Sequence, residues 1–201
     1  MNFFHTVLSA IFPPTHDEQL LASLSEAELL GKVRVREIPH GMSFLPYRDP
    51  VVRALIWQTK YKRDDRAIAL LSKILHEQLL QIKAPHLIIP IPLSTKRSRE
   101  RGYNQVSAFA ERAVAGTPHT FLEHALIRTR HTIPQTQLSR KERLVNLHDA
   151  FAVPDTHKER IKDASCILVD DVTTTSTTLG EARRTLLTAG AKMVTVVAMA
   201  H

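Results

Sequence analysis

One stretch near the C-terminal end does more than any other to limit what this chain can fold into. Ser165 to Val169 is a short apolar run that reads as a buried strand. Asp170 to Thr177 reads as a loop, Leu179 to Ala189 as a helix closed by Gly190, and Met193 to Met199 as a final apolar strand. Strand, loop, helix, strand is a βαβ unit, which implies a largely parallel sheet covered by helices. Ligands of such sheets sit beyond the carboxyl ends of the strands. Asp170 and Asp171 therefore fall where a site is expected.

The rest of the chain supplies further elements of the same kind. Asp17 to Leu30 has helical character and Lys32 to Ile38 alternates like a short strand. Asp49 followed by Pro50 is a cap and first-turn proline, opening a helix whose buried face carries Val52, Leu55 and Ile56. A second helix is expected over Asp65 to Gln81, with Ile68, Leu71, Leu75 and Leu79 at helical spacing. His86 to Pro90 reads as a buried strand, Ser94 to Gly102 as a basic loop, and Asn104 as the cap of a helix bearing Val106, Phe109, Ala110 and Ala113. Phe121 to Ile127 is a weaker strand signal, Arg128 to Leu138 a loop, and Ser139 with Glu142 a capping box for a short helix. The expected class is α/β: a largely parallel central sheet with flanking helices. Residues 1–43 form a small N-terminal cap or hood segment and residues 44–201 the main domain.

Composition narrows the partners. A formal charge of +7 and a pI near 9.8 call for an anionic partner, while only 5% aromatic residues leave few surfaces on which single-stranded bases could stack. The single cysteine, Cys166, excludes an intramolecular disulfide and a cysteine-based zinc site; in its apolar run it reads as a buried structural thiol. No run approaches the roughly 20 apolar residues of a membrane span. The apolar opening Phe3 to Phe12 lacks a basic start and ends at Pro13-Pro14, so it reads as a packing segment, and a cytoplasmic location is expected.

The chemistry concentrates at Asp170-Asp171-Val172-Thr173-Thr174-Thr175-Ser176-Thr177-Thr178. Two adjacent carboxylates after a buried strand repel each other and lose solvation, so hydroxyl donors, a cation or a basic neighbour must offset them. A hydroxyl-rich turn leading into a helix N-terminus is an anion cradle. A ribose 5-phosphate would satisfy both halves. Thr178 and Glu181 also match a capping box, which accounts for those two residues but not for the acids or the five preceding hydroxyls. The segment resembles the phosphoribosyl-pyrophosphate (PRPP) binding signature of type I phosphoribosyltransferases. That resemblance implies that Asp170 and Asp171 recognise the ribose hydroxyls directly or through Mg2+. It also implies that Thr174, Thr175, Thr177 and Thr178, with amides around Ser176, hold the 5-phosphate. Ser176 stands where that family usually has glycine.

Two further segments are informative. Pro90-Ile91-Pro92-Leu93-Ser94-Thr95-Lys96-Arg97-Ser98-Arg99-Glu100-Arg101-Gly102-Tyr103-Asn104-Gln105 follows an expected strand and carries four cations within six residues. Leu126 to Asn146, ending near Ala150-Phe151, is rich in Arg and Gln and suits a closing lid. With Lys60-Tyr61-Lys62, these segments resemble the ComF family, competence-associated proteins with a type I phosphoribosyltransferase fold. The Arg-Gly-Tyr-Asn-Gln stretch is the more specific part, and the resemblance covers roughly Phe44 to His201. Many members begin with a four-cysteine zinc module, which has no counterpart here. The resemblance implies transfer of phosphoribosyl from PRPP to an unknown acceptor with release of pyrophosphate. In that reaction Lys96, Arg99 and Arg101 would stabilise the pyrophosphate and Arg128 or Arg130 would close over it. The alternative is a non-catalytic accessory of DNA uptake that binds single-stranded DNA or a competence protein, and the resemblance is also compatible with a homodimer. A base-salvage enzyme ranks lower, because residues 1–43 show no convergent base-reading side chains.

Overall fold

A computed structural model describes residues 16–129, 150–173 and 177–201, the side chains of residues 16–18 and 96 excepted. Strand β1 (Arg36–Ile38) pairs antiparallel with β2 (Gly41–Leu45). From there the sheet is parallel: β2 pairs with β8 (Met193–Ala200), β8 with β7 (Ser165–Val172), β7 with β3 (Leu87–Pro90), and β3 with β4 (Thr120–Phe121). A short antiparallel pair stands apart, β5 (Ile127–Arg128) with β6 (Phe151–Ala152). The helices are α1 (His16–Ser23), α2 (Glu26–Leu30), α3 (Pro50–Trp57), α4 (Asp65–Leu79), α5 (Thr95–Arg101), α6 (Gln105–Ala113), α7 (Asp155–Ile161) and α8 (Thr177–Thr188). A π-helical turn, Gln58–Lys62, continues α3. The expected α/β class, with a largely parallel sheet under helices, is what the chain adopts. Among the described residues no helix is long and apolar enough to cross a membrane.

Strand periodicity divides the core in two. Ile167 and Val169 of β7 face a layer built by Val52, Leu55, Leu71, Phe109 and their neighbours, while Cys166 and Leu168 face Leu179, Ala182 and Leu186 of α8. Several helix starts follow from the sequence. The Asp49 carboxylate accepts from the Val51 amide ahead of Pro50, Asp64 accepts from Ala67, and Asn104 accepts from Val106.

Several expectations need correction. Asp170 and Asp171 lie within β7 rather than in a loop, because the β8 ladder continues past them, pairing Asp170 with Ala198 and Val172 with Ala200. Ser94–Gly102 is helical: the Ser94 hydroxyl accepts from the Arg97 amide, and Gly102, at φ 72°, closes the turn with its amide on the Ser98 carbonyl. Phe121–Ile127 is not one strand; its ends belong to two different sheets. Ser25 caps α2 and thereby splits the helix expected over 17–30, and the strand expected from Lys32 begins only at Arg36. The division at residue 43/44 falls inside β2, so the segment before it already contributes to the sheet. The capping box at Ser139 and Glu142 and most of the 128–138 loop lie outside the described residues.

Gly41 is where β2 meets β8 most closely: a Cβ there would stand 1.7 Å from the Val196 carbonyl oxygen, which is backbone and cannot step aside. Gly41→Ala is expected to lower stability by about 3 kcal/mol in urea unfolding, as overpacking against a fixed ladder does.

The connections fix where a ligand can sit. From β3 the chain passes through α6 to β4 on one side; from β7 it passes through α8 to β8 on the other, with α6 and α8 on opposite faces. The strand order therefore diverges between β3 and β7, and the crevice at their carboxyl ends is the switch point.

Candidate functional site

Adjacent residues of a strand point to opposite faces, so the two acids do not share one environment. Asp171 turns toward α3 and α6 and is only 5% exposed. The Lys60 ammonium stands 2.9 Å from its Oδ1, and the Gln105 side-chain amide donates to its Oδ2 at 2.5 Å. The cation that a buried acid demands thus comes from the π-helical turn. Its wide winding buries Gln58 and Thr59, leaves Tyr61 and Lys62 outside, and ends at Arg63 in the left-handed region, φ 51°. Gln105 is placed by a relay of local devices. Gly102 ends α5, and Asn104 caps α6 while donating its side-chain amide to the Ile91 carbonyl at 3.0 Å. Between them Tyr103 is inserted, with Arg63 5.1 Å over its ring. Burial lifts the Tyr103 phenol above its ordinary pKa against the opposing pull of Arg63 and Arg101. The Arg-Gly-Tyr-Asn-Gln stretch is therefore the machinery that holds Asp171.

Asp170 faces the other layer and is partly buried. Its Oδ1 accepts the Asp171 amide at 2.8 Å. Burial first, and the Asp171 charge second, push its carboxyl pKa up to about 7, although Lys60 and Arg128 act in the opposite sense. Arg128 is held by β5 rather than carried on a lid. Its Nε donates to the Pro92 carbonyl at 3.2 Å and its guanidinium lies 4.8 Å from the Phe151 ring centroid. Burial and the nearby Arg97 charge both lower its affinity for its proton. Arg128 therefore lies close enough to Asp170 and to Arg97 to feel both charges.

Thr177 and Thr178 occupy the first turn of α8, a twelve-residue helix. Thr178 is inside the helix rather than at its cap, where a capping box would need it, and Glu181 pairs with Arg184 at 2.7 and 3.0 Å. Arg99 and Arg101 sit on the last turn of α5; Arg99 is exposed, and Arg101 stacks 5.0 Å from the Tyr61 ring centroid on the Asp171 side. Lys96 lies on the first turn of that helix, its side chain outside the described ones. Thr174, Thr175, Ser176 and Arg130 also lie outside the described residues. Lys60, Gln105 and Arg97 belong to the segments that carry the family resemblance, but the sequence assigns them no role at the site. The paired acids signal a missing cation, but no spacing in the chain ties it to Lys60.

The two carboxylates, placed back to back, do not form a chelating pair, and no cluster of three metal-ligating side chains occurs among the described residues. Asp171 is already satisfied on both oxygens.

No family model matches the chain. It is 35% identical to Competence protein F of Haemophilus influenzae, over 60% of this chain and 52% of that protein. It is 31% identical to the DNA utilization protein YhgH of Escherichia coli O157:H7, over 73% of this chain and 66% of that protein. Competence protein ComFC of Bacillus subtilis is 36% identical over 52% of this chain and 39% of that protein. The chain thus spans about half the length of Competence protein F and about two thirds of YhgH. Among solved structures, a glutamine PRPP amidotransferase from B. subtilis complexed with ADP and GMP matches 71% of this chain and 30% of that one, at 18% identity and a TM-score of 0.41.

Proposed function

Because the chain belongs to the ComF family, we propose that its switch-point crevice binds PRPP with magnesium and passes the phosphoribosyl group to an acceptor. The observation that carries this reading is Asp170. A carboxyl held at the crevice mouth, with its ionised form disfavoured by burial and by Asp171, is an acceptor in need of donors, and ribose hydroxyls supply them. The 5-phosphate would sit at the N-terminus of α8, against Thr177 and Thr178. Arg97 and Arg128, with Lys96, Arg99 and Arg101 on the same helix as Arg97, would counter the diphosphate. Magnesium, when bound, spreads the charge of the leaving diphosphate. In the transfer, a lone pair of the acceptor forms the bond to C1 of the ribose. The C1–O bond breaks with its electron pair going to diphosphate, and the acceptor's proton leaves with it or to water. Asp171, pinned by Lys60 and Gln105, acts as a positioning residue: its strand holds Asp170 in place.

The test is thermal stabilisation by PRPP with magnesium. Wild type is expected to melt several degrees higher with that ligand. Thr178→Val, which leaves the helix in place, is expected to keep its melting point without ligand and to lose about tenfold in affinity, the value of one hydrogen bond to a charged group. Unchanged affinity in Thr178→Val would remove the phosphate from that helix.

A second reading, single-stranded DNA binding in DNA uptake, is favoured by one surface feature. The chain has one tryptophan and three tyrosines. Trp57, Tyr61 and Tyr103 gather on the Asp171 side with Lys62, Arg101 and Arg63 over their rings at 5.9, 5.0 and 5.1 Å. Stacking surfaces that are scarce in the composition are therefore concentrated in one place. A melting shift with oligothymidylate and none with PRPP would favour this reading over the first.

A further inference from the structure

A cavity of about 540 Å³ opens beside the Asp171 end of the site and takes no part in the sugar and phosphate contacts described above. Its walls include Leu20 of α1, Tyr47 from the turn after β2, Arg53 and Trp57 of α3, and Lys60 and Tyr61 of the π-helical turn. Three of the chain's four Trp and Tyr residues line this one space. Trp57 and Tyr61 form a tilted pair, 5.5 Å between centroids and 41° between planes, and both remain exposed, at 36% and 59%. Lys62 stands over the Trp57 ring and Arg101 over the Tyr61 ring, which fixes both aromatic walls.

The charge of the cavity is one-sided. Among the described residues its lining contains two cations beyond the stacking pair, Arg53 and Lys60, and no acid. Arg53 is exposed, and among the described residues its guanidinium has no side-chain hydrogen bond or ion pair. Lys60 forms the inner end, its ammonium 2.9 Å from Asp171. Lys60 therefore links the aromatic walls to Asp171, the neighbour of Asp170 in β7.

From this geometry we propose that the cavity binds a planar aromatic carboxylate of one or two rings, and that this molecule is the acceptor. The ring lies against Trp57 and Tyr61, and its carboxylate is paired by Arg53, whose planar fork matches a carboxylate. The ring edge carrying the nucleophilic nitrogen points past Lys60 toward the sugar. The assignment as acceptor rests on the PRPP reading; the binding of the aromatic acid does not. The volume lies in the range of ordinary small-molecule sites.

The test uses the full chain and six defined probes: benzoate, nicotinate and orotate against their uncharged counterparts benzamide, nicotinamide and uracil. Each is titrated calorimetrically with and without PRPP and magnesium. Trp57 emission is followed for the benzoate and nicotinate pairs, because Trp57 is the sole tryptophan and reports on this wall alone. At least one acid is expected to bind saturably and about tenfold more tightly than its neutral partner. Arg53→Ala is expected to abolish that preference, and Arg53→Lys to restore part of it. The proposal is overturned if no acid binds in either condition, if the neutral partners bind equally well, if Arg53→Ala changes nothing, or if only oligothymidylate perturbs Trp57. Failure of the PRPP reading is separate: PRPP with magnesium would then give no heat, while the arm without PRPP still decides whether the aromatic acid binds.

Discussion

Asp170→Asn is expected to melt several degrees above wild type at pH 8 while losing at least about a hundredfold in affinity for PRPP with magnesium. The two effects have one cause. In the folded chain the Asp170 carboxyl holds its proton up to about pH 7, whereas an unfolded aspartate releases it near pH 4. Between those values the folded state binds more protons than the unfolded one, so stability falls as pH rises through that window and stays low above it. Asparagine keeps the shape and removes the penalty. It also removes the ionised acceptor that ribose hydroxyls require, so the gain in stability comes with a loss of binding, the exchange expected of a functional residue. Melting curves of the two proteins from pH 4 to 8 check the sign: the difference should be small at the acid end and grow toward neutrality. A wild-type protein as stable as Asp170→Asn across the whole range would contradict this account of the residue.

Lys60→Met is expected to cost about 3 kcal/mol of folding stability, because it strands the Asp171 carboxylate in a buried setting with Gln105 as its one remaining side-chain partner among the described residues. For a chain of this length that corresponds to a drop of roughly 6–12 °C in melting temperature. The pair can be separated from general disruption of the helix by a double-mutant cycle. Asp171→Asn added to Lys60→Met should recover much of the loss, because the uncompensated charge is gone. If the double variant is less stable than Lys60→Met by the full cost of Asp171→Asn alone, the two residues are not coupled and the π-helical turn has another purpose. PRPP affinity should fall in Lys60→Met as well, since the end of β7 that carries Asp170 is tied to α3 and α6 through Asp171.

The parts of the fold that were legible are those written in local chemistry. The apolar runs of β3, β7 and β8, the caps at Asp49 and Asn104, and the placement of two acids at the carboxyl edge all follow from residues close in sequence. The continuation of β7 through Asp170 and Asp171 was not legible, because acids after an apolar run look like a loop. Only the ladder to Ala198 and Ala200 and the partners of Asp171 make a strand affordable there. Likewise, Thr95–Arg101 lacks an apolar stripe and so read as a loop; its helix rests on the Ser94 cap, on cations in the last turn and on Gly102. Lys60 and Gln105 come from segments 111 and 66 positions away from Asp171, and no spacing rule connects them. The aromatic content misled in a different way: it gave the number of rings but not their concentration around one cavity.

Co-crystallisation with PRPP and magnesium tests the central claim most directly. The ribose hydroxyls should lie within hydrogen-bond reach of Asp170, with the 5-phosphate against the first turn of α8 at Thr177 and Thr178 and the diphosphate facing Arg128. A sugar phosphate bound elsewhere on the chain, or a crevice left empty at saturating ligand, would contradict it.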